Sequence, residues 1–331
     1  MKKYYNDKIK MFFNLNQVLY ANIERSASKS PFKPLLLLNF LNGDCGQPLI
    51  NYFNESWDFE PFVKDDFLIA HTSAYVNAVF EGEHPLCASN GIPWSDELVL
   101  SVTFTNANLY HSIREAVLHP EHISFSPVSG MHHARPSSGS GFCTFSGQVI
   151  ASVKLYREMG KSGAWLDLDG HYGNSIEDTR HFVKDLDKAI PPGFNINPNG
   201  HGKGYIKSLK SHLRKLTDAI LEGKIHYVVW CHGADSHEWD DLGGQVSTEE
   251  WIECSKIFYR WVKKMTKLRG KPLPVILTLF GGYRADHYDS VLSLHTADLV
   301  CCLNILCGEN INYEAIVLPK PTKNKRHYKN G

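Results

Sequence analysis

No charge of one sign prevails in this sequence: 35 Lys and Arg balance 35 Asp and Glu over 331 residues. That balance gives no reason to expect steering toward nucleic acid or an anionic membrane surface. Long apolar runs are also missing. The leucine block at 35–38 is far short of the roughly 20 residues that span a bilayer, so no membrane association is expected. The eight cysteines include no Cys-x-x-Cys pair, and most lie in apolar stretches, with Cys301 and Cys302 adjacent. Thiols so placed suit a reducing compartment and argue against a disulfide framework. The opening Met-Lys-Lys-Tyr-Tyr-Asn-Asp runs into mixed polar sequence rather than a signal-peptide core, and a cytoplasmic location is the expectation. No repeat or low-complexity linker divides the chain. Residues 1–331 are therefore read as a single domain. A basic tail from about residue 320 (Lys320, Lys323, Lys325, Arg326, Lys329) forms its solvated end.

What is present is an ordinary globular composition, 43% hydrophobic and 21% charged. From about residue 122 short β-rich runs alternate with helical patterns. This predicts an α/β domain with a mostly parallel central sheet and helices on both faces. Strands are expected at 122–128, 164–169, 194–197, 225–231 and 274–280, and helices at 141–156, 205–221 and 247–267. Ser247 and Glu250 form the capping-box pattern of the last helix.

The chemistry gathers where these strands end. In Trp165-Leu-Asp-Leu-Asp-Gly-His, the side chains of Asp167, Asp169 and His171 leave an extended segment by one face. Two carboxylates and an imidazole can hold a divalent metal, and Asp235 of Gly233-Ala-Asp stands ready to complete such a set. Three protein ligands leave a fourth tetrahedral position open, as a catalytic zinc site requires. The tandem His132 and His133, in Gly130-Met-His-His-Ala-Arg-Pro, titrate in the range of a general acid/base pair. Phe280-Gly-Gly-Tyr lets the backbone approach a ligand closely and carries Tyr283, whose phenol can donate to an oxyanion. Cys231, His232 and His237 flank Asp235 but are read as structural. The glycine-rich 139–147 and 201–204 stretches lack the ending of a phosphate loop.

Taken in order, these motifs resemble the histone deacetylase and acetylpolyamine amidohydrolase family, with its arginase-deacetylase fold. Ser140-Gly-Phe-Cys and Asp240-Asp-Leu-Gly join the likeness, with weaker matches at Ser30-Pro-Phe-Lys-Pro and His71-Thr-Ser-Ala-Tyr-Val. The resemblance implies that Asp169, His171 and Asp235 bind one zinc ion per chain. It implies that His132, paired with Asp167, and His133 move protons, that Tyr283 polarises the substrate carbonyl, and that Gly141 and Phe142 line the channel. It also implies an amidohydrolase that deacetylates an acetylated small-molecule amine or an acetyl-lysine protein, needs no organic cofactor, and has room for a structural potassium ion. Several positions depart from the family pattern. Tyr172 follows His171 where a second histidine is usual, Asn174 stands where many members have Asp, and a helix-like segment runs from 177 to 188. Leucines follow Lys33 where some members place an exit-cavity arginine, and Phe280 shortens the glycine run before Tyr283. Gly173 and Ser236 stand where a two-metal arginase- or agmatinase-like site needs further carboxylates. A non-catalytic sensor of acetylated ligands is the other alternative; the intact residue set gives it no support. The loop at 81–94 is expected to shape the substrate rim.

Overall fold

Seven strands form one sheet in the order β2-β1-β3-β7-β6-β4-β5, and every pairing is parallel. The strands are β1 (Ile9–Phe12), β2 (Phe53–Ser56), β3 (Ile123–Ser126), β4 (Gly163–Asp167), β5 (Asn195–Ile196), β6 (Tyr227–Cys231) and β7 (Val275–Thr278). The structure is a computed structural model that describes residues 3–20, 28–313 and 318–321. Most of the basic tail lies outside the described residues.

The central strands β3, β4, β6 and β7 are buried along their whole length, because helices cover both sheet faces. Their two-residue period sorts side chains between two cores. Leu166, Val228, Trp230 and Leu277 enter one; Trp165, Val229, Cys231 and Ile276 enter the other. The helices used below are α1 (Lys33–Asn39), α2 (Asp96–Leu118), α3 (Gly147–Met159), α4 (Lys203–Leu221), α5 (Thr248–Arg269) and α6 (Asp289–Cys302). The first core takes α4, α5 and α6, and the second takes α2 and α3. Trp230 stacks on Phe258 of α5 at 4.1 Å, joining sheet to helix. Ser247 and Glu250 close the capping box at the start of α5, and Gly270 ends it in the left-handed region.

Three readings need correction. The helix expected over 141–156 begins only at Gly147, because 135–145 folds as two tight turns. Arg135 bridges Ser138, Ser140 bridges Cys143, and the Phe142 N–H donates to the Asn90 carbonyl at 2.8 Å. The segment at 177–188 is not one helix but two short ones, Ser175–Thr179 and Leu186–Ala189. A long apolar segment is present after all. Asp289–Cys307 is long and apolar enough to cross a membrane, yet 83% of its most apolar window is buried as a core helix. All eight cysteines are free thiols, six of them buried.

His71, which precedes the helix Ser73–Glu81, is locked in its neutral form. Nδ1 donates to the Arg135 carbonyl at 2.9 Å, and Nε2 accepts the Ser146 N–H at 2.8 Å. Burial pushes its pKa down to about 4. The unfolded chain therefore takes up the proton first, and the stabilising contribution, complete above the ordinary value near 6.5, is lost as pH falls toward 4. Between pH 7 and pH 5 this amounts to about 2 kcal/mol. Urea melts should show that much less pH dependence in His71→Gln than in the wild type; equal slopes would contradict the assignment.

Candidate metal centre

The loops that leave β3, β4, β6 and β7 all rise from the same end of the sheet, where ligands bind in open parallel sheets. After β4 the chain presents Asp169 and His171, and after β6 it presents Asp235. His171 Nδ1 lies 3.1 Å from Asp169 Oδ1 and 3.0 Å from Asp235 Oδ2. One ligand atom from each residue falls within 4.8 Å of the others. Asp167 turns away. Its Oδ2 faces His132 Nδ1 at 2.9 Å and its Oδ1 accepts the Asp169 N–H. Alternation along the strand therefore does not put Asp167 in the triad, and Asp235 from the neighbouring loop fills that place.

The triad fits a divalent cation on the structure's own terms. Asp235 Oδ1 is buried with no hydrogen-bond partner. Asp235 and Asp169 are both buried, and desolvation together with the Asp169 charge holds the Asp235 carboxyl well above the usual range. Asp169 stays below that range despite burial, because His132 and His171 favour its anion. The Asp169 and Asp235 hydrogen bonds raise His171 to about 11. A dication between them would let both carboxylates ionise and would displace the imidazole proton. The backbone closes tightly around them. A Cβ on Gly281 would lie 2.4 Å from Asp235 Cγ and 2.6 Å from Asp169 Oδ2, and one on Gly233 would lie 2.4 Å from Asp235 Oδ1.

Beside the triad, the His132 and His133 rings lie with centres 4.0 Å apart, tilted by 43°. Burial opposes the charge on His132, but Asp169 and Asp167 outweigh it and lift its pKa to about 9. His133 is pushed down to about 4 by burial and by His132. Its Nδ1 meets Asn174 Oδ1 at 2.8 Å, while Asn174 Nδ2 donates to Asp178, so Nδ1 carries the hydrogen and Nε2 is the free base. The Tyr283 ring centre is 6.4 Å from that of His171 and 5.9 Å from that of Phe142. Burial, then the Asp169 and Asp235 charges, keep its phenol protonated. His132, Gly141, Phe142, Asp169, Gly281 and Tyr283 line one cavity of about 10 Å³. A Cβ on Gly141 would lie 2.6 Å from His133 Cδ2. The structure thus brings together every site residue expected from the sequence. Gly173 and Ser236 bring no further carboxylate: Gly173 packs against Asp167 and Ser236 bonds the Gly233 carbonyl. The loop at 81–94 reaches the same place, with Ser89 Oγ accepting the Gly139 N–H and the Asn90 carbonyl accepting that of Phe142.

Residues 34–186 match the family model of the histone deacetylase domain. In sequence the chain is thus similar to the histone deacetylase family over just under half of its length. The crystal structure of the HDA15 HD domain superposes with a TM-score of 0.68. That match covers 94% of this chain and 91% of the other at 16% identity, which shows the shared fold. Histone deacetylase 8 of Xenopus laevis is 30% identical over 181 residues, 46% of this chain and 51% of that protein. Histone deacetylase 9 of Arabidopsis thaliana is 24% identical over 205 residues, 54% and 45% respectively. This chain therefore spans about half the length of those two deacetylases. An uncharacterised protein of Picosynechococcus sp. is 26% identical over 247 residues, covering 67% of this chain and 77% of that one.

Three residues of this histone deacetylase-like protein were not singled out for the site from the sequence. Lys33, at the start of α1, is fully buried and donates through Nζ to the Phe280 carbonyl. Burial lowers its pKa to about 8, against the upward pull of Asp235, Asp169 and Asp240. A lysine between Phe32 and Pro34 ahead of four leucines was the available signal. Asp240 is buried too, its Oδ2 accepting the Tyr283 N–H at 2.7 Å and its Oδ1 that of Leu242. Asp298 gathers the indole of Trp230, the phenol of Tyr259 and the imidazole of His232, which stacks on Trp251 at 3.6 Å. His232 is thus held in the core beneath Asp235, while His237 bonds Thr248 and the Trp239 N–H.

Proposed function

We propose that this protein is a metal-dependent amidohydrolase that removes an acetyl group from an acetylated amine, either acetyl-lysine in a protein or an acetylated small amine such as a polyamine. The observation that carries the reading is the Asp169–His171–Asp235 triad beside the paired histidines and Tyr283, with Asp169, His132 and Tyr283 lining one small cavity. A divalent cation held by that triad, zinc by its two-oxygen, one-nitrogen donor set, would supply a Lewis acid and lower the pKa of a water molecule there.

The chain's own groups complete the chemistry. His133 is neutral at pH 7, and its free Nε2 takes the proton from the attacking water. The Tyr283 hydroxyl donates to the carbonyl oxygen as negative charge develops on it. His133 then returns its proton to the departing amine, and acetate leaves. Asp167 fixes the ring and tautomer of His132, whose charge favours the anionic transition state. The buried walls exclude water and strengthen each of these interactions.

The test is acetate release by zinc-loaded protein from a panel of acetyl-lysine peptides and acetylated polyamines. Release that a chelator abolishes and zinc restores is the expected result. Protein that holds zinc yet releases acetate from no member of the panel would overturn the reading.

A further inference from the structure

The balance of charge over the whole chain conceals an uneven distribution. Residues 53–121 hold eleven Asp and Glu against Lys64 and Arg114. Compensating cations gather on α4 and α5, which lie side by side over one face of the sheet. α4 carries five Lys and Arg against Asp218 alone, and α5 beyond Glu253 carries six and no acid. Lys203, Lys207, Lys210 and Arg214 follow at steps of four, three and four, so they form one row along α4. Arg260, Lys264 and Lys267 form a second row on α5. All seven are exposed, and none has an ion pair or a side-chain hydrogen bond among the described residues. The helix dipole does not account for the α4 row. No base sits in its last turn, and Lys203 opens its first turn, at the positive end. Like charges three and four residues apart repel one another, so the row costs the helix stability that an anion laid along it would restore.

The two rows join into one track. Trp261 Nε1 donates to Thr217 Oγ1 at 2.9 Å, which sets the level of one helix against the other. Both helices lead from one parallel strand to the next, so they run in the same direction. Arg214 lies three residues before Thr217 and Arg260 one before Trp261, so the α5 row starts where the α4 row ends. At 1.5 Å per residue the track is about 30 Å long, close to one turn of a nucleic-acid duplex (~34 Å). Its composition tells partners apart. A protein–protein interface centres on apolar and aromatic side chains and is poor in lysine. A helix lying in a membrane surface carries large apolar side chains on its other face. Here five of the seven cations are lysines, and beside the α4 row stand Gly204, Ser211, Thr217 and the half-buried Ile206, too little apolar surface for either partner. A duplex carries one negative charge per about 1.7 Å of its axis, enough to meet every cation of the track. We propose that α4 and α5 form a binding track for double-stranded nucleic acid, held through its phosphates without regard to base sequence. The track stands apart from the deacetylase reading, since none of its residues lines that site.

The test is the fluorescence anisotropy of a labelled DNA duplex of about 20 base pairs, titrated with the full-length, zinc-loaded protein over a range of salt. Micromolar or tighter binding is expected at about 50 mM salt, with a steep loss as salt rises, since each phosphate neutralised adds about −0.9 to the slope of log K against log salt. K203Q/K207Q/K210Q should flatten that slope by about 3 and weaken binding at least about 10-fold at low salt, and R260Q/K264Q/K267Q should do the same. Both variants should melt with the wild type, because every changed side chain is exposed. K323Q/K325Q/R326Q removes as many charges from the basic tail and serves as the comparison. No salt-dependent binding by the wild type, an unchanged slope in either helix variant, or a loss as large in the tail variant would overturn the proposal. Equal binding of polyglutamate, or of phosphatidylserine vesicles, at the same anionic charge would also overturn it, assigning the track to an acidic protein or to a membrane.

Discussion

Asp169→Asn should take up no zinc under dialysis that leaves the wild type with one ion per chain, and its acetate release should fall to background. The substitution keeps the shape of the side chain, though its one carbonyl oxygen can accept from only one of the His171 and Gly281 N–H groups, which Asp169 now satisfies through Oδ1 and Oδ2. What it removes is one of two buried anionic donors. Without metal, His132 and His171 favour the Asp169 anion, so the metal-free variant should be less stable than the metal-free wild type. Zinc should separate the two proteins further. At a concentration about 1,000 times Kd, a ligand that binds only the folded state adds about 4 kcal/mol, and the variant should gain none of it. His171→Ala should behave alike, since its half-exposed imidazole carries little of the core. Metal content and thermal melts with and without zinc provide the check. A zinc-dependent rise in Tm for either variant would place the ion elsewhere.

The second large effect is expected at Tyr283. Tyr283→Phe should keep its zinc and its fold, because the backbone N–H still reaches Asp240 and the ring still lies between Phe142 and His171. Only the hydroxyl is lost. Removing one preorganised oxyanion donor costs about 3–4 kcal/mol of transition-state stabilisation, or about 100- to 1,000-fold in kcat. KM should change little, because the interaction strengthens only as charge develops on the carbonyl oxygen. Full activity in Y283F would show that another group stabilises the oxyanion.

Much of the site was legible because its residues stand in short motifs at strand ends, where sequence distance and spatial distance nearly agree. Asp169 and His171 are two residues apart, and His132 and His133 are adjacent. Alternation along β4 nevertheless put Asp167, Asp169 and His171 on one face, while the structure gives Asp167 to His132. The reason is geometric: β4 ends at Asp167, and beyond it the backbone no longer alternates. Lys33 was out of reach because nothing local links residue 33 to residue 280. The sheet edge β2-β1 was missed as well. Its two four-residue strands come from separate segments and carry no long alternating pattern.

The helices divide in the same way. Apolar positions along α4 and α5 recur every three or four residues, with polar side chains between, so both were readable. In α2 the period is blurred by buried polar residues with structural partners. Asn108 Nδ2, for example, donates to the Phe12 carbonyl and to Gln17. Every residue of α6 from Ser290 to Val300 is buried, leaving no polar face to mark a helix. The helix misplaced over 141–156 had apolar spacing that suited it; the turns around Gly139 and Gly141, anchored on Asn90, prevailed for tertiary reasons.

The most direct test of the central claim is a crystal structure of the zinc-loaded protein with anomalous diffraction measured at the zinc edge. The account requires a single anomalous peak bonded to Asp169, His171 Nδ1 and Asp235 at about 2.0–2.2 Å, with an open position facing Tyr283 and His133. A peak at other residues, or a second ion beside the first, would contradict it.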